Sequence, residues 1–181
     1  MTNKINETRI QQIVIFLKSL KIRSKRFSKV IRIENISLIQ DFNQAFIHSS
    51  GDKIINYEKL EFFGDAVLRL AASNFIEKKY PQMSVGERSE LRAQIVSDEW
   101  LTKLGKTIGI ERLIIKGPKA LGDENSKNTI IGEATEALIG ALYKCFNSIQ
   151  EVNLWLDDIW EEDSEIFLKA PYKFKSKTVL Q

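Results

Sequence analysis

Asn56-Tyr57-Glu58-Lys59-Leu60-Glu61-Phe62-Phe63-Gly64-Asp65-Ala66-Val67-Leu68-Arg69-Leu70 is the stretch on which the reading of this chain turns. As a helix, at about 100° per residue, it places Glu58, Glu61 and Asp65 within roughly 60° of one another. The same wheel gathers Leu60, Phe63, Val67, Leu70 and Ala71 on the opposite side, where they would anchor the helix in a core. Like charges at i, i+3 and i+4 repel and weaken a helix. An acidic face held rigid by an apolar one is therefore a natural seat for a hard divalent cation.

A second helix carries a second acidic face. In Thr129-Ile130-Ile131-Gly132-Glu133-Ala134-Thr135-Glu136-Ala137-Leu138-Ile139-Gly140, Glu133 and Glu136 stand at i and i+3. Gly140 lies at roughly 20° from Glu133 on the same wheel. Ile131, Leu138, Leu142 and Cys145 point the other way, toward a core. Packed with their acidic faces converging, the two helices would form an oxygen cage for Mg²⁺ from Glu61, Asp65, Glu133 and Glu136. Such ions keep several waters and leave room for a phosphate, so the chemistry that follows is metal-assisted phosphodiester hydrolysis. Taken singly, each face reads equally as exposed glutamates on an amphipathic helix, and spacing alone leaves both readings standing.

Composition narrows the rest. A chain of 181 residues, 43% hydrophobic and 28% charged, is long enough to bury one sizeable core and is expected to form one domain. No apolar run reaches the length of a membrane span, and Met1 to Glu7 lacks the apolar centre of a signal peptide. A cytoplasmic protein with no membrane partner is expected. Cys145 is the only cysteine, which excludes an intrachain disulfide and a cysteine-based zinc cluster; it reads as a small buried hydrophobe. His48 is the only histidine, so a di-iron carboxylate bundle with paired Glu-x-x-His motifs is excluded as well. Any metal here would be oxygen-ligated.

The net charge of +3 is unevenly spread. Lys18, Lys21, Arg23, Lys25, Arg26, Lys29 and Arg32 crowd the N-terminal region, and Lys169, Lys173, Lys175 and Lys177 make the tail basic. Glu151, Asp157, Asp158, Glu161, Glu162, Asp163 and Glu165 form an acidic block between them. Basic flanks around an acidic site suit a polyanionic substrate, while each cluster by itself also reads as solvated surface.

Elsewhere the periodicity predicts a helix over 7–21, a short one over 38–47 ending at His48-Ser49-Ser50-Gly51, and an end to the opening helix at Tyr80-Pro81. Residues 22–35 read as a loop or as an insertion with a short strand. Ser84 and Glu87 form a capping box that starts a helix running to about Gly105, broken near Ser97-Asp98. A short segment around Leu113-Ile114-Ile115 and a polar loop from Gly122 through Asn128 precede helices over 129–147 and 150–168. Strand signals are nearly absent, so the fold class is all-α. Trp100, Trp155 and Trp160 fall in apolar helical patterns and belong in a core or interface, and His48 is expected to structure the turn that follows residue 47.

The stretch Asn56 to Leu68 resembles the signature of the ribonuclease III family, specifically its bacterial, cyanobacterium-like members. Ala45-Phe46-Ile47-His48-Ser49-Ser50 resembles the family's Ala-Leu-Thr-His-x-Ser. Leu91-Arg92-Ala93-Gln94-Ile95-Val96-Ser97 is similar to its next helix, and Ile130 through Gly140 to its second acidic motif. In order, these cover residues 36–147. The resemblance implies an all-α, dimeric endonuclease domain that cuts both strands of double-stranded RNA with Mg²⁺, Mn²⁺ being a substitute. The products would carry 5′-phosphate and 3′-hydroxyl ends, in the processing of ribosomal and messenger RNA.

Residue by residue, Glu61, Asp65 and Glu136 match family metal ligands, Asp65 and Glu136 being the catalytic pair. Glu58 matches a supporting acid, and Phe62 the aromatic that inserts across the dimer interface. Glu133 takes the fourth ligand position, where the family usually has aspartate, and so reaches one methylene further. Val85 stands where a glutamate often precedes glycine. Tyr172 through Gln181 resembles the passage into a double-stranded-RNA-binding domain. The implied organisation is an N-terminal helix and basic segment over 1–35 packed on the domain, a nuclease domain over 36–168, and a basic tail over 169–181. The alternative is a catalytically silent RNA-binding or ribonucleoprotein component with the same fold.

Overall fold

Residues 5–121 and 124–169 are described by the structure, a computed structural model. In chain order the helices are α1 (Glu7–Ser19), α2 (Lys25–Val30), α3 (Ile36–Gln44), α4 (Glu58–Lys79), α5 (Val85–Ile95), α6 (Asp98–Ile108), a 3₁₀ turn (Ile110–Leu113), α7 (Pro118–Leu121), α8 (Glu124–Phe146) and α9 (Ile149–Lys169). Among the described residues no strand forms. The extended pairing they contain is a parallel bridge between Ile47 and Ile115.

Local chemistry starts α5 and α6 where the sequence reading places them. The Ser84 hydroxyl accepts from the Glu87 N–H at 3.3 Å while the Glu87 carboxylate accepts from the Ser84 N–H at 2.8 Å, completing the capping box. Ser97 Oγ accepts from the Trp100 N–H at 3.2 Å, which separates α5 from α6. Gly105 does not end α6; the helix runs on to Ile108 and stops at Gly109, whose φ of 72° is the left-handed cap that glycine adopts at little cost.

One core serves the whole described chain. α4 and α8 lie at its centre, flanked by α6 and α9, with α1 and α3 closing one end. Leu17, Phe42, Phe46, Leu68, Ile131, Leu138 and Trp160 are all fully buried in it. The tryptophans are core residues: the Trp160 indole donates to the Ile95 carbonyl at 3.0 Å and packs against Trp100 and Phe75, and the Trp100 indole donates to Asp163 at 2.8 Å. Cys145 is half-buried against the same core, and burial pushes its thiol up to about 12.

Four local expectations are corrected. Residues 22–35 hold a short helix, α2, rather than a strand: Ser24 Oγ caps it through the Phe27 N–H at 2.9 Å, and Phe27 and Ile31 are buried one turn apart. The polar loop is shorter than 122–128, because α8 already begins at Glu124; Gly122 and Asp123 lie outside the described residues. Leu70 is 51% exposed and Phe63 only partly buried, whereas Gly64, Leu68 and Ala72 are buried. The buried sector of α4 is therefore turned toward α8, and its acidic residues stand at the edge of the core rather than opposite it. Finally, the acidic block on α9 is not free surface: Arg23 pairs with Asp158, Lys78 with Asp157, Lys79 with Glu161 and Lys103 with Asp163. Each exposed pair contributes about 0–1 kcal/mol, but together they answer the charge from α4, α6 and the turn between α1 and α2. The tail reading over 169–181 falls outside the described residues beyond Lys169.

Candidate active site

Two glycines set the site. α4 and α8 cross where Gly64 faces Gly140, so closely that a Cβ on Gly64 would lie 2.1 Å from the backbone oxygen of Glu136. A Cβ on Gly140 would lie 2.4 Å from the backbone oxygen of Leu60. Residues three, four and seven positions apart share a helical stripe, so Glu61 beside Gly64, and Glu136 and Glu133 on the stripe of Gly140, are carried to the same seam. Backbone contact at the glycines thus seats two acidic stripes side by side.

The seam opens into a cavity of about 590 Å³ lined by His48, Ser49, Tyr57, Glu58, Glu61, Phe62, Asp65, Glu133 and Glu136. Every acid singled out in the sequence borders it, together with Phe62. Glu58 is exposed at the rim, while Glu61, Asp65, Glu133 and Glu136 are half-buried. Phe62 points outward at 84% exposure, beside the acids and away from the core. Beyond Glu61, Glu133 and Glu136 a second groove of about 820 Å³ runs toward α6, where Asp98, Lys103 and Lys106 line it.

Burial and crowding raise proton affinity here. The Glu61 carboxyl is pushed up to about 7, first by burial and then by the charges of Glu133 and Glu58. Glu136 is likewise pushed up to about 7, by burial first, with Asp65, Glu61 and Asp98 adding to it and Arg69 opposing. Burial, and then the bond to Glu133, holds the Tyr57 phenol far above its ordinary value. Two of the acids are already engaged: Arg69 Nε donates to Asp65 Oδ1 at 2.7 Å, and the Tyr57 hydroxyl donates to Glu133 Oε2 at 2.5 Å. Accordingly, among the described residues no three His, Cys, Asp or Glu side chains are closed on a common point as a ready metal cage.

His48 structures its turn, as expected. Its backbone N–H donates to the Ile115 carbonyl at 3.0 Å, and its Nδ1 accepts from the Ser50 N–H at 3.1 Å. Its ring meets that of Tyr57 edge-on, with centroids 5.6 Å apart. Tyr57 and Asp98 are the site residues that pattern reading passed over. Tyr57 precedes the first helical residue, and Asp98 follows a capping serine, so both read as boundary residues. Their role depends on α8, which the local sequence does not contain.

The raised carboxyls make a stability prediction. A group that binds its proton more tightly in the folded than in the unfolded chain stabilises the fold below its unfolded value and loses that contribution as pH rises through the folded one. For Glu61 and Glu136 the loss spans pH 4.5 to about 7. In chelator, the thermal midpoint of Glu136→Gln should fall less than that of the unsubstituted protein across this window. Parallel curves in a differential-scanning experiment would contradict the assignment.

Comparison with known proteins gives concordant results. The family profile described as Ribonuclease-III-like matches residues 40–153. Ribonuclease 3 of Prochlorococcus marinus is 44% identical over 177 residues, covering 98% of this chain and 71% of that protein. Ribonuclease 3 2 of Synechocystis is 41% identical over 114 residues, 63% of this chain and 47% of its own length. Among solved structures, the nuclease domain of ribonuclease III from Campylobacter jejuni superposes with a TM-score of 0.59 at 23% identity, covering 92% of this chain and 99% of that one. The last is a likeness of fold.

Proposed function

The chain belongs to the ribonuclease III family, and on that premise we propose that it is an endoribonuclease that hydrolyses phosphodiester bonds on both strands of double-stranded RNA with Mg²⁺. The observation that carries the proposal is the convergence of Glu61, Asp65, Glu133 and Glu136 from two helices on one cavity. The products are 5′-phosphate and 3′-hydroxyl ends, and the setting is cytoplasmic RNA processing by a homodimer. No helix among the described residues is long and apolar enough to cross a membrane. On this reading residues 36–168 are the nuclease unit, with the described part of the N-terminal segment, residues 5–35, packed on it.

The donor set suits a hard divalent cation. All four candidate ligands are carboxylates, and burial together with mutual repulsion, which raise Glu61 and Glu136, penalise the charges that a cation would neutralise. Bound there, Mg²⁺, or Mn²⁺ in its place, supplies a Lewis-acid charge for the phosphoryl oxygens and an acidified water. Glu61 and Glu136 would hold it as carboxylates, Asp65 would hold it in place of its bond to Arg69, and Glu133 would complete the ligand set. Glu58 adds its field at the rim. Phe62 docks into the partner subunit, bringing a second site to the other strand. Duplex RNA is gripped by its A-form shape and its 2′-hydroxyls.

A second reading, a silent RNA-binding member of the family, draws on the engagement of Glu133 by Tyr57. One assay separates the two. Incubated with duplex RNA across a protein dilution series, the folded protein should yield short duplexes with Mg²⁺ and none with a chelator. Specific activity should fall on dilution, at higher protein concentrations for Phe62→Ser than for the unsubstituted chain. Absence of cleavage by folded, dimeric protein would overturn the enzymatic reading and leave the silent one.

A further inference from the structure

Tyr57 is held on every side. It is 1% exposed, its ring packs edge-on against His48, and its N–H donates to the Ile47 carbonyl at 2.9 Å. Its own carbonyl accepts from the N–H groups of Leu60 and Glu61, at 2.8 and 2.9 Å, and so is locked to the first turn of α4. The phenol oxygen is a fixed point, and it donates to Oε2 of Glu133 on α8. Glu133 itself is half-buried and lines the cavity. A glutamate there has one more rotatable bond than an aspartate and can scatter its carboxylate over several rotamers. The hydroxyl selects among them.

We propose that Tyr57 is a positioning residue: by taking Oε2 of Glu133 it fixes the longer side chain and leaves Oε1 as a single oriented oxygen for the cation held in the cavity. The inference rests on the metal-dependent reading above and deepens it by naming what makes glutamate workable at position 133. The two residues form a matched pair. An aspartate at 133 would withdraw the carboxylate by about 1.5 Å, out of hydrogen-bond reach of a phenol that cannot follow. Loss of either member should therefore cost the same interaction.

Mn²⁺ titration of the full chain, by calorimetry, tests this on the unsubstituted protein, Tyr57→Phe, Glu133→Asp and the double variant. Tyr57→Phe should bind Mn²⁺ about tenfold more weakly, the scale typical of groups that orient a metal ligand, with its helical far-UV signal retained. Glu133→Asp should lose a similar factor, and the double variant should be no weaker than Glu133→Asp alone. Tyr57→Phe affinity within about twofold of the original, or penalties that multiply in the double variant, would overturn the pairing. Should Tyr57→Phe not fold, Glu133→Asp decides: it keeps the charge and loses the reach, so unchanged affinity overturns the proposal. Unsubstituted protein that binds no Mn²⁺ would overturn the metal-dependent reading along with this one; binding that is indifferent to Tyr57→Phe would overturn this one only.

Discussion

Glutamine in place of Glu136 should lower hydrolysis of duplex RNA by on the order of a thousandfold or more, while the protein stays folded and still binds RNA. The size follows from what one preorganised charged group contributes at a site of transition-state charge, about 10²–10³ for a single neutral donor and more for a ligand that helps to hold a cation. The selectivity follows from the surroundings. Glu136 is half-buried among Asp65, Glu61 and Asp98, so its charge opposes folding rather than supporting it. Glutamine keeps the shape and removes that repulsion, and stability in chelator at pH 7 or above should rise. Single-turnover cleavage alongside a thermal melt reads both effects. Activity within tenfold of the original would remove Glu136 from the catalytic set, and a fall in stability would contradict the electrostatic account.

Alanine in place of Gly64 should cost about 3 kcal/mol or more of stability, and Gly140→Ala a comparable amount. On an exposed helical surface the same change would stabilise by about 1 kcal/mol, since alanine is the better helix former. Here the added methyl meets backbone: the Glu136 oxygen at 2.1 Å from Gly64, and the Leu60 oxygen at 2.4 Å from Gly140. Neither can turn aside as a side chain would, so α4 and α8 must separate, and overpacking of this kind costs typically 1–3 kcal/mol or more. Separation also pulls the acidic stripes apart, and cleavage should fall with stability. Urea titrations of Gly64→Ala and Gly140→Ala measure the cost. A neutral or stabilising result at Gly64 would mean that the helices do not cross there in contact.

Much of this was legible in the sequence, and the failures have physical causes. The acids and the fold class could be read because helical spacing is a local property and a carboxylate stripe is conspicuous within a turn or two. Ser84 and Ser97 were legible for the same reason, since a cap is decided within three residues. The wheel misplaces Leu70 because it reports which residues share a face but not which neighbour the face meets; α8 lies against Leu60 and Gly64, and Leu70 is left 51% exposed. α2 was obscured by its six-residue length, too short for a period to repeat. The bond from Tyr57 to Glu133 spans 76 residues, and nothing near either residue announces it.

The chain holds more cationic than anionic side chains, 27 against 24, yet distributes its own counter-charge very unequally. Along α9 the acids are answered from within by Arg23, Lys78, Lys79 and Lys103. The cavity is lined by Glu58, Glu61, Asp65, Glu133 and Glu136 and, among the described residues, by no lysine or arginine; Arg69 pairs with Asp65 from outside that lining. Under the proposed function this makes the two ligands mutually dependent: without a cation the cavity repels a phosphate backbone, and without the phosphate the cation lacks the ligand oxygens that the phosphate would supply. By thermodynamic linkage, whatever factor a metal added to RNA affinity, RNA would add to metal affinity, so a cavity lined by acids without cations of its own would favour the ternary complex over either binary one.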